Sequence, residues 1–137
     1  MKLLRNSLYI TLIVLTIFQS ISTILGGIAL LANIISMPVE LLQGSPFRDY
    51  TIPGLALSLL AGGSSLFACI LLFRKSKFSI LFSTTAGVVM MFFEFIEVLV
   101  IGSPAGIART LQVIYFGTGT AIVVASMGVW FLDLQST

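Results

Sequence analysis

The sequence predicts an all-α fold, an integral membrane antiparallel four-helix bundle, and two observations support this prediction. Of the 137 residues, 58% are hydrophobic and 9% are charged, whereas about a quarter of the residues in a typical soluble domain are charged. The apolar residues also gather in four runs, each long enough to cross a bilayer as an α-helix of about 20 residues. Since four spans use nearly the whole chain, residues 1–137 are expected to form a single transmembrane domain.

The predicted spans are, in chain order, residues 7–36, 52–73, 78–101 and 108–132. The first follows Lys2 and Arg5, as a signal peptide would, but its apolar stretch exceeds the roughly 7–15 residues of a signal-peptide core, so we interpret it as a retained helix. At the second, Asp49 or Thr51 is expected to cap the helix, with Pro53 in its first turn. The third and fourth are separated from their neighbours by short loops, which favour antiparallel packing.

The basic residues are unevenly divided between the two ends of the spans. Two lie on one side, Arg48 and Arg109, and five lie on the side of the N-terminus, namely Lys2, Arg5, Arg74, Lys75 and Lys77. Under the positive-inside rule, this asymmetry predicts that both termini are cytoplasmic. Because the basic residues cluster at span ends and form no patch, nucleic acid is not an expected partner.

Each predicted helix carries its small and polar residues on one stripe. In a bilayer, small residues let helix backbones approach closely, so we expect the stripes to face the bundle axis. Helix by helix they comprise Gln19, Ser22, Thr23, Gly26, Ala29 and Asn33; Gly54, Ser58, Gly62 and Ser65; Ser83, Gly87, Met90, Glu94 and Glu97; and Gln112, Gly117, Ala121, Ala125 and Gly128.

Glu94 and Glu97 are the strongest functional lead in the sequence, because they are the carboxylates that lie within a predicted span. An ionisable side chain at mid-bilayer costs about 2.5–3.5 kcal/mol on insertion scales, so two on one helix indicate a buried role. At 1.5 Å per residue, Glu97 lies about 6 Å and Glu94 about 10 Å from Ile101, the outer end of the span.

An outward-facing polar cluster is therefore expected, formed by Glu94, Glu97, Arg109, Gln112, Tyr115 and Asn33. Two interpretations of it stay open. In the first, Glu97 pairs with Arg109 and a protonated Glu94 is hydrogen-bonded, so the cluster only holds the helices in register. In the second, the two glutamates form a proton or cation site.

The longest loop, residues 37–50, contains Pro38, Gly44 and Pro46, which punctuate it, together with apolar residues that suit a membrane surface. We expect it to act as a lid over the bundle. The string from Pro46 to Leu55, PFRDYTIPGL, resembles a segment at the same place in a family of uncharacterised small bacterial four-span membrane proteins. This resemblance covers ten residues and the span pattern; it implies the four-span fold and a prokaryotic plasma membrane, and it supplies no catalytic residue.

Composition also excludes several kinds of activity. The chain has no histidine, so His-ligated haem, the usual zinc and copper sites and His-based catalysis are excluded. The single cysteine, Cys69, allows neither an internal disulfide nor a CxxC pair. We expect no enzymatic activity, no cofactor and no metal site.

Two functional classes remain. The favoured one is a non-enzymatic protein of the lipid bilayer, either an accessory subunit of a larger membrane complex or a bundle that binds lipid or a small apolar ligand. The alternative is an oligomeric small transporter or channel that uses Glu94 and Glu97 as its proton or cation site. A chain of this size would need a second copy to line a path.

Overall fold

The computed structural model describes residues 2–34 and 38–135. Over these residues the chain is helical, with no strand. Its four long helices are each long and apolar enough to cross a membrane: α1 is Lys2–Leu31, α2 is Thr51–Phe73, α3 is Ser79–Ile101 and α4 is Ile107–Gln135. A short 3-10 helix, Val39–Leu42, lies between α1 and α2.

The four helices form a ring in which each packs against the next and α4 packs back against α1, while α1 and α3 barely touch across the ring. Consecutive helices run in opposite directions. The end of the bundle with both chain termini, called the terminal end, is closed by a hydrogen bond from Arg5 Nε to Asp133 Oδ1 of 2.5 Å. There Tyr9 Oη also donates to the Leu72 carbonyl oxygen at 2.7 Å. The opposite end is called the distal end.

Glycines set the spacing of two helix pairs. A Cβ built on Gly27 of α1 would lie 2.6 Å from the carbonyl oxygen of Gly54 on α2, and one on Gly87 of α3 would lie 2.7 Å from that of Gly119 on α4. Backbones this close exclude any side chain, which is the close packing that small residues permit in lipid. Gly117 does not share this role, because it is exposed and a Cβ there would meet nothing within 4 Å.

Helix α1 ends at Leu31, earlier than the predicted residue 36, and residues 35–37 lie outside the described part of the chain. Asn33 has a φ of 59°, a left-handed conformation that asparagine adopts more readily than most residues. Ile34 N donates to the Ala29 carbonyl oxygen at 2.8 Å and Asn33 N to that of Leu30 at 3.2 Å. These two bonds form a Schellman motif, which ends the helix.

Helix α2 is not uniform along its length. Its segments Thr51–Leu55 and Gly63–Phe73 are α-helical, while Ala56–Gly62 is π-helical, a conformation with i→i+5 hydrogen bonds that occurs often at functional sites. The Gly63–Phe73 segment packs along α3, where the rings of Phe67 and Phe82 meet edge to face at 4.9 Å. The Thr51–Leu55 segment packs on α1 and stands away from α3, so α2 and α3 diverge toward the distal end.

Candidate functional site

The divergence of α2 and α3 leaves a pocket of about 400 Å³ at the distal end of the bundle. Helix α2, helix α3 and the 38–50 loop each contribute to its wall. The wall includes the side chains of Phe47 and Tyr50 from the loop, Ile52, Ala56 and Leu60 from α2, and Val88, Phe92, Phe93, Ile96 and Glu97 from α3. Its size is within the range of about 300–1,000 Å³ typical of small-molecule sites, which are also mostly apolar with a few polar groups.

Among the described residues that line this wall, Glu97 has the one charged side chain. The neighbouring Glu94 is 3% exposed, and the carboxyl groups of the two residues lie within hydrogen-bonding reach of each other. Glu94 Oε2 has no hydrogen-bond partner among the described residues. A buried acceptor without a partner costs about 1–3 kcal/mol, so a hydrogen-bond donor that reached this oxygen would be favoured.

Gln112 joins the site from α4. It is buried, its Nε2 donates to the Gly102 carbonyl oxygen at 3.0 Å, and its side chain lies beside the Glu97 carboxyl. Gly102 follows the last residue of α3 and has a φ of 71°, which favours glycine at this position. The sharp turn that this φ permits brings the carbonyl oxygen to Gln112, and so ties the end of α3 to α4.

Arg109 does not pair with Glu97, which corrects one of the two interpretations drawn from the sequence. Its Nη2 donates to the Ser103 carbonyl oxygen at 2.6 Å and its Nε to the same atom at 3.1 Å. Arg109 lies in the first turn of α4 and its side chain is directed back to the preceding loop. The loop carbonyl satisfies the guanidinium locally and leaves the carboxylate without an ion-pair partner among the described residues.

Tyr115 and Asn33 occupy other parts of the molecule. Tyr115 packs against the apolar cluster that contains Leu57 and Met90, and its ring stacks on Phe18 with the centroids 6.4 Å apart. Asn33 is exposed beyond the end of α1, where it lines a smaller surface pocket together with Asp49. Of the six predicted residues, the structure therefore brings together Glu94, Glu97 and Gln112.

The 38–50 loop covers the distal end. Leu42 is buried, and the Val39–Leu42 helix contacts α3. Tyr50 Oη donates to the Pro38 carbonyl oxygen at 2.8 Å, which holds its ring in the pocket wall. Burial raises the pKa of the Tyr50 phenol above its ordinary value, and the negative charges of Glu97 and Glu40 raise it further.

A second buried polar connection lies near the middle of the bundle. Gln19 of α1 is fully buried, and its Nε2 donates to Ser65 Oγ of α2 at 2.5 Å and to the Ala86 carbonyl oxygen of α3 at 3.3 Å. The sequence placed Gln19 on the stripe of α1 but not in the candidate site. An amide side chain within an apolar run predicts a hydrogen bond to another helix, and Gln19 could have been identified on this basis.

No group of three or more His, Cys, Asp or Glu side chains in residues 2–34 and 38–135 is arranged to hold a metal ion. The chain matches no protein-family model, no curated protein and no solved structure.

Proposed function

We propose that this chain is a non-enzymatic membrane protein that binds a small apolar ligand in the distal pocket between α2 and α3. The observation that carries the proposal is the pocket itself, about 400 Å³ in volume. Its described lining residues are mostly apolar, and one of them, Glu97, has a carboxyl group. A mostly apolar cavity with a few converging polar groups is the usual form of a small-molecule site.

The proposal includes insertion in a prokaryotic plasma membrane with both termini in the cytoplasm. The four apolar helices and the large apolar side chains exposed along their outer faces support insertion. Five basic residues near the terminal end support the orientation. Residues 46–55, on which the family resemblance rests, supply Phe47, Tyr50 and Ile52 to the pocket wall. A labelling experiment tests the orientation: Ser45→Cys should react from outside intact cells, and a reaction of Ser76→Cys from outside would contradict it.

A photoreactive analogue of dodecanol tests binding. The protein would be placed in lipid nanodiscs, the probe activated, and the modified residues mapped by mass spectrometry. We expect modification of Ile52 and Phe92 several times greater than that of Ile10, an outward-facing residue of α1 that is 61% exposed. Unlabelled dodecanol should reduce the modification of the two pocket residues selectively.

A blocked pocket provides the decisive comparison. Ala56→Trp places an indole in the pocket, whereas Ala105→Trp adds the same side chain to an exposed loop outside it. The first variant should lose the excess modification of Phe92 and keep that of Ile10, and the second should resemble the wild type. Modification spread evenly over the outer surface, unchanged by Ala56→Trp, would overturn the proposal.

The adjacent carboxyl groups of Glu94 and Glu97 favour a second candidate, an oligomeric transporter or channel that uses them as a proton or cation site. Glu94 Oε2, which lacks a partner among the described residues, is the specific observation. The oligomeric state in mild detergent distinguishes the two candidates, since transport requires a second copy to line a path. A homodimer with proton-coupled flux that Glu94→Gln abolishes would favour transport, and a monomer, or a fixed larger complex with other proteins, without such flux would favour the non-enzymatic protein.

A further inference from the structure

The residues that line the distal pocket favour one kind of head group on its ligand. We propose that the pocket binds a single-chain amphiphile with an ammonium head, the head lying against Glu97 and the chain extending toward Leu60 and Val88. This inference rests on the proposed function and adds to it the chemical class of the ligand.

The carboxyl of Glu97 favours a ligand with a positive charge. Glu97 lies in the wall without an ion-pair partner among the residues that the structure describes, since the Arg109 guanidinium donates to the Ser103 carbonyl. The ion pair that those residues do form, between Arg5 and Asp133, lies at the terminal end. A carboxylate in an apolar wall is poorly solvated, so a ligand that brings a positive charge is favoured over a neutral one.

Aromatic side chains that line the pocket with Glu97 also favour an ammonium head. Phe47, Tyr50, Phe92 and Phe93 all line the same pocket as Glu97. Phe93 precedes Glu97 by four residues, which places the two side chains next to each other on the surface of α3. The faces of aromatic rings attract organic cations through their quadrupole, and cages of such rings recognise ammonium groups.

The shape of the pocket favours a ligand with a single alkyl chain. The lining residues of α3 extend from Val88 to Ile101, a distance of about 20 Å along the helix axis. Glu97 lies about one turn from Ile101, so the carboxyl is near the distal end of the pocket, and the wall from there toward Val88 is apolar. An elongated apolar pocket with the Glu97 carboxyl at one end matches one alkyl chain with a donating, charged head.

Competition against the photoreactive dodecanol tests this inference. Dodecylammonium and dodecanol have the same chain and differ in head charge, and each would be added at a known mole fraction of the nanodisc lipid. In the wild type, we expect dodecylammonium to displace the probe from Phe92 at a mole fraction about tenfold lower than dodecanol does. Glu97→Gln should abolish the difference between the competitors, and Glu97→Asp should restore part of it.

Two further variants separate local from general effects. Glu40→Gln removes the same charge from an exposed residue outside the wall. This variant should retain most of the tenfold difference between dodecylammonium and dodecanol. Phe93→Leu keeps an apolar wall and removes an aromatic ring. It should reduce the ratio between the displacing mole fractions of dodecanol and dodecylammonium by about twofold to fivefold. Because the probe carries no charge, its unchanged reaction with Phe92 in each variant reports that the pocket is folded.

The outcomes distinguish failure of this inference from failure of the proposed function. Equal displacement by both competitors in the wild type, or a tenfold difference that persists in Glu97→Gln, would overturn the ammonium head and leave apolar binding intact. Absence of any selective reaction at Phe92 would overturn both proposals.

Discussion

The close approach of α3 and α4 at Gly87 provides a direct test of how the bundle is held together. In the variant Gly87→Ala, the new Cβ would lie 2.7 Å from the Gly119 carbonyl oxygen and 2.8 Å from Val123 Cγ2, whereas ordinary contact begins at 3.4 Å. The carbonyl belongs to the helix backbone and cannot rotate away, so the two helices must separate. Overpacking of this kind costs about 1–3 kcal/mol.

Gly117→Ala in α4 is the matched control, since its Cβ would meet nothing within 4 Å. Both variants gain the preference of alanine over glycine for a helix, about 1 kcal/mol or less, so the difference between them isolates the clash. We expect Gly87→Ala to be less stable than Gly117→Ala by about 1–3 kcal/mol in reversible unfolding in mixed micelles. Equal stabilities, or a more stable Gly87→Ala, would refute the glycine contact as the determinant of helix spacing.

Three further predictions concern charged and titrating groups. A double-mutant stability cycle on Glu97 and Arg109 should give a coupling below about 0.5 kcal/mol, because the arginine binds a loop carbonyl; a coupling well above this value would contradict the geometry. Asp133→Asn should lower the free energy of unfolding by at most about 1 kcal/mol, less in high salt, since the side chains of its ion pair are 39% and 44% exposed; a larger, salt-independent loss would be evidence against this. Tyr50 should ionise above its ordinary pKa of 10.0 in an absorbance titration. Since its folded-state pKa is raised, its contribution to stability is present below the unfolded pKa and is lost as pH rises through the folded pKa; a Tyr50→Phe variant should lack this alkaline loss.

Hydropathy and residue spacing predicted the four apolar helices, because burial of backbone groups in lipid leaves few alternatives to helix. The same pattern missed the end of α1. An apolar run continues past Leu31 to Ile35, but Asn33 takes the left-handed conformation and completes a Schellman motif. A short capping signal of this kind carries little weight against a long hydrophobic run, although it decides where the helix ends.

The candidate site was predictable only in part. The depth of Glu94 and Glu97 follows from the rise of one helix, and Gln112 follows from the antiparallel neighbour. The direction of Arg109 does not, because a long side chain at a helix start can bond to the loop before it. The pocket depends on the divergence of two helices and on the position of a loop, which are tertiary features that residue spacing does not encode.

The opening between α2 and α3 determines the direction from which a ligand enters the pocket. The outermost residues of the pocket wall, among them Ile52, Leu60 and Phe92, are 61%, 63% and 62% exposed on the outer surface of the helices. In the proposed membrane arrangement this surface faces hydrocarbon, so a ligand enters sideways from the bilayer and the loop above it need not move. Occupancy then follows the mole fraction of the ligand in lipid, and a compound that is scarce in water but partitions strongly saturates the protein.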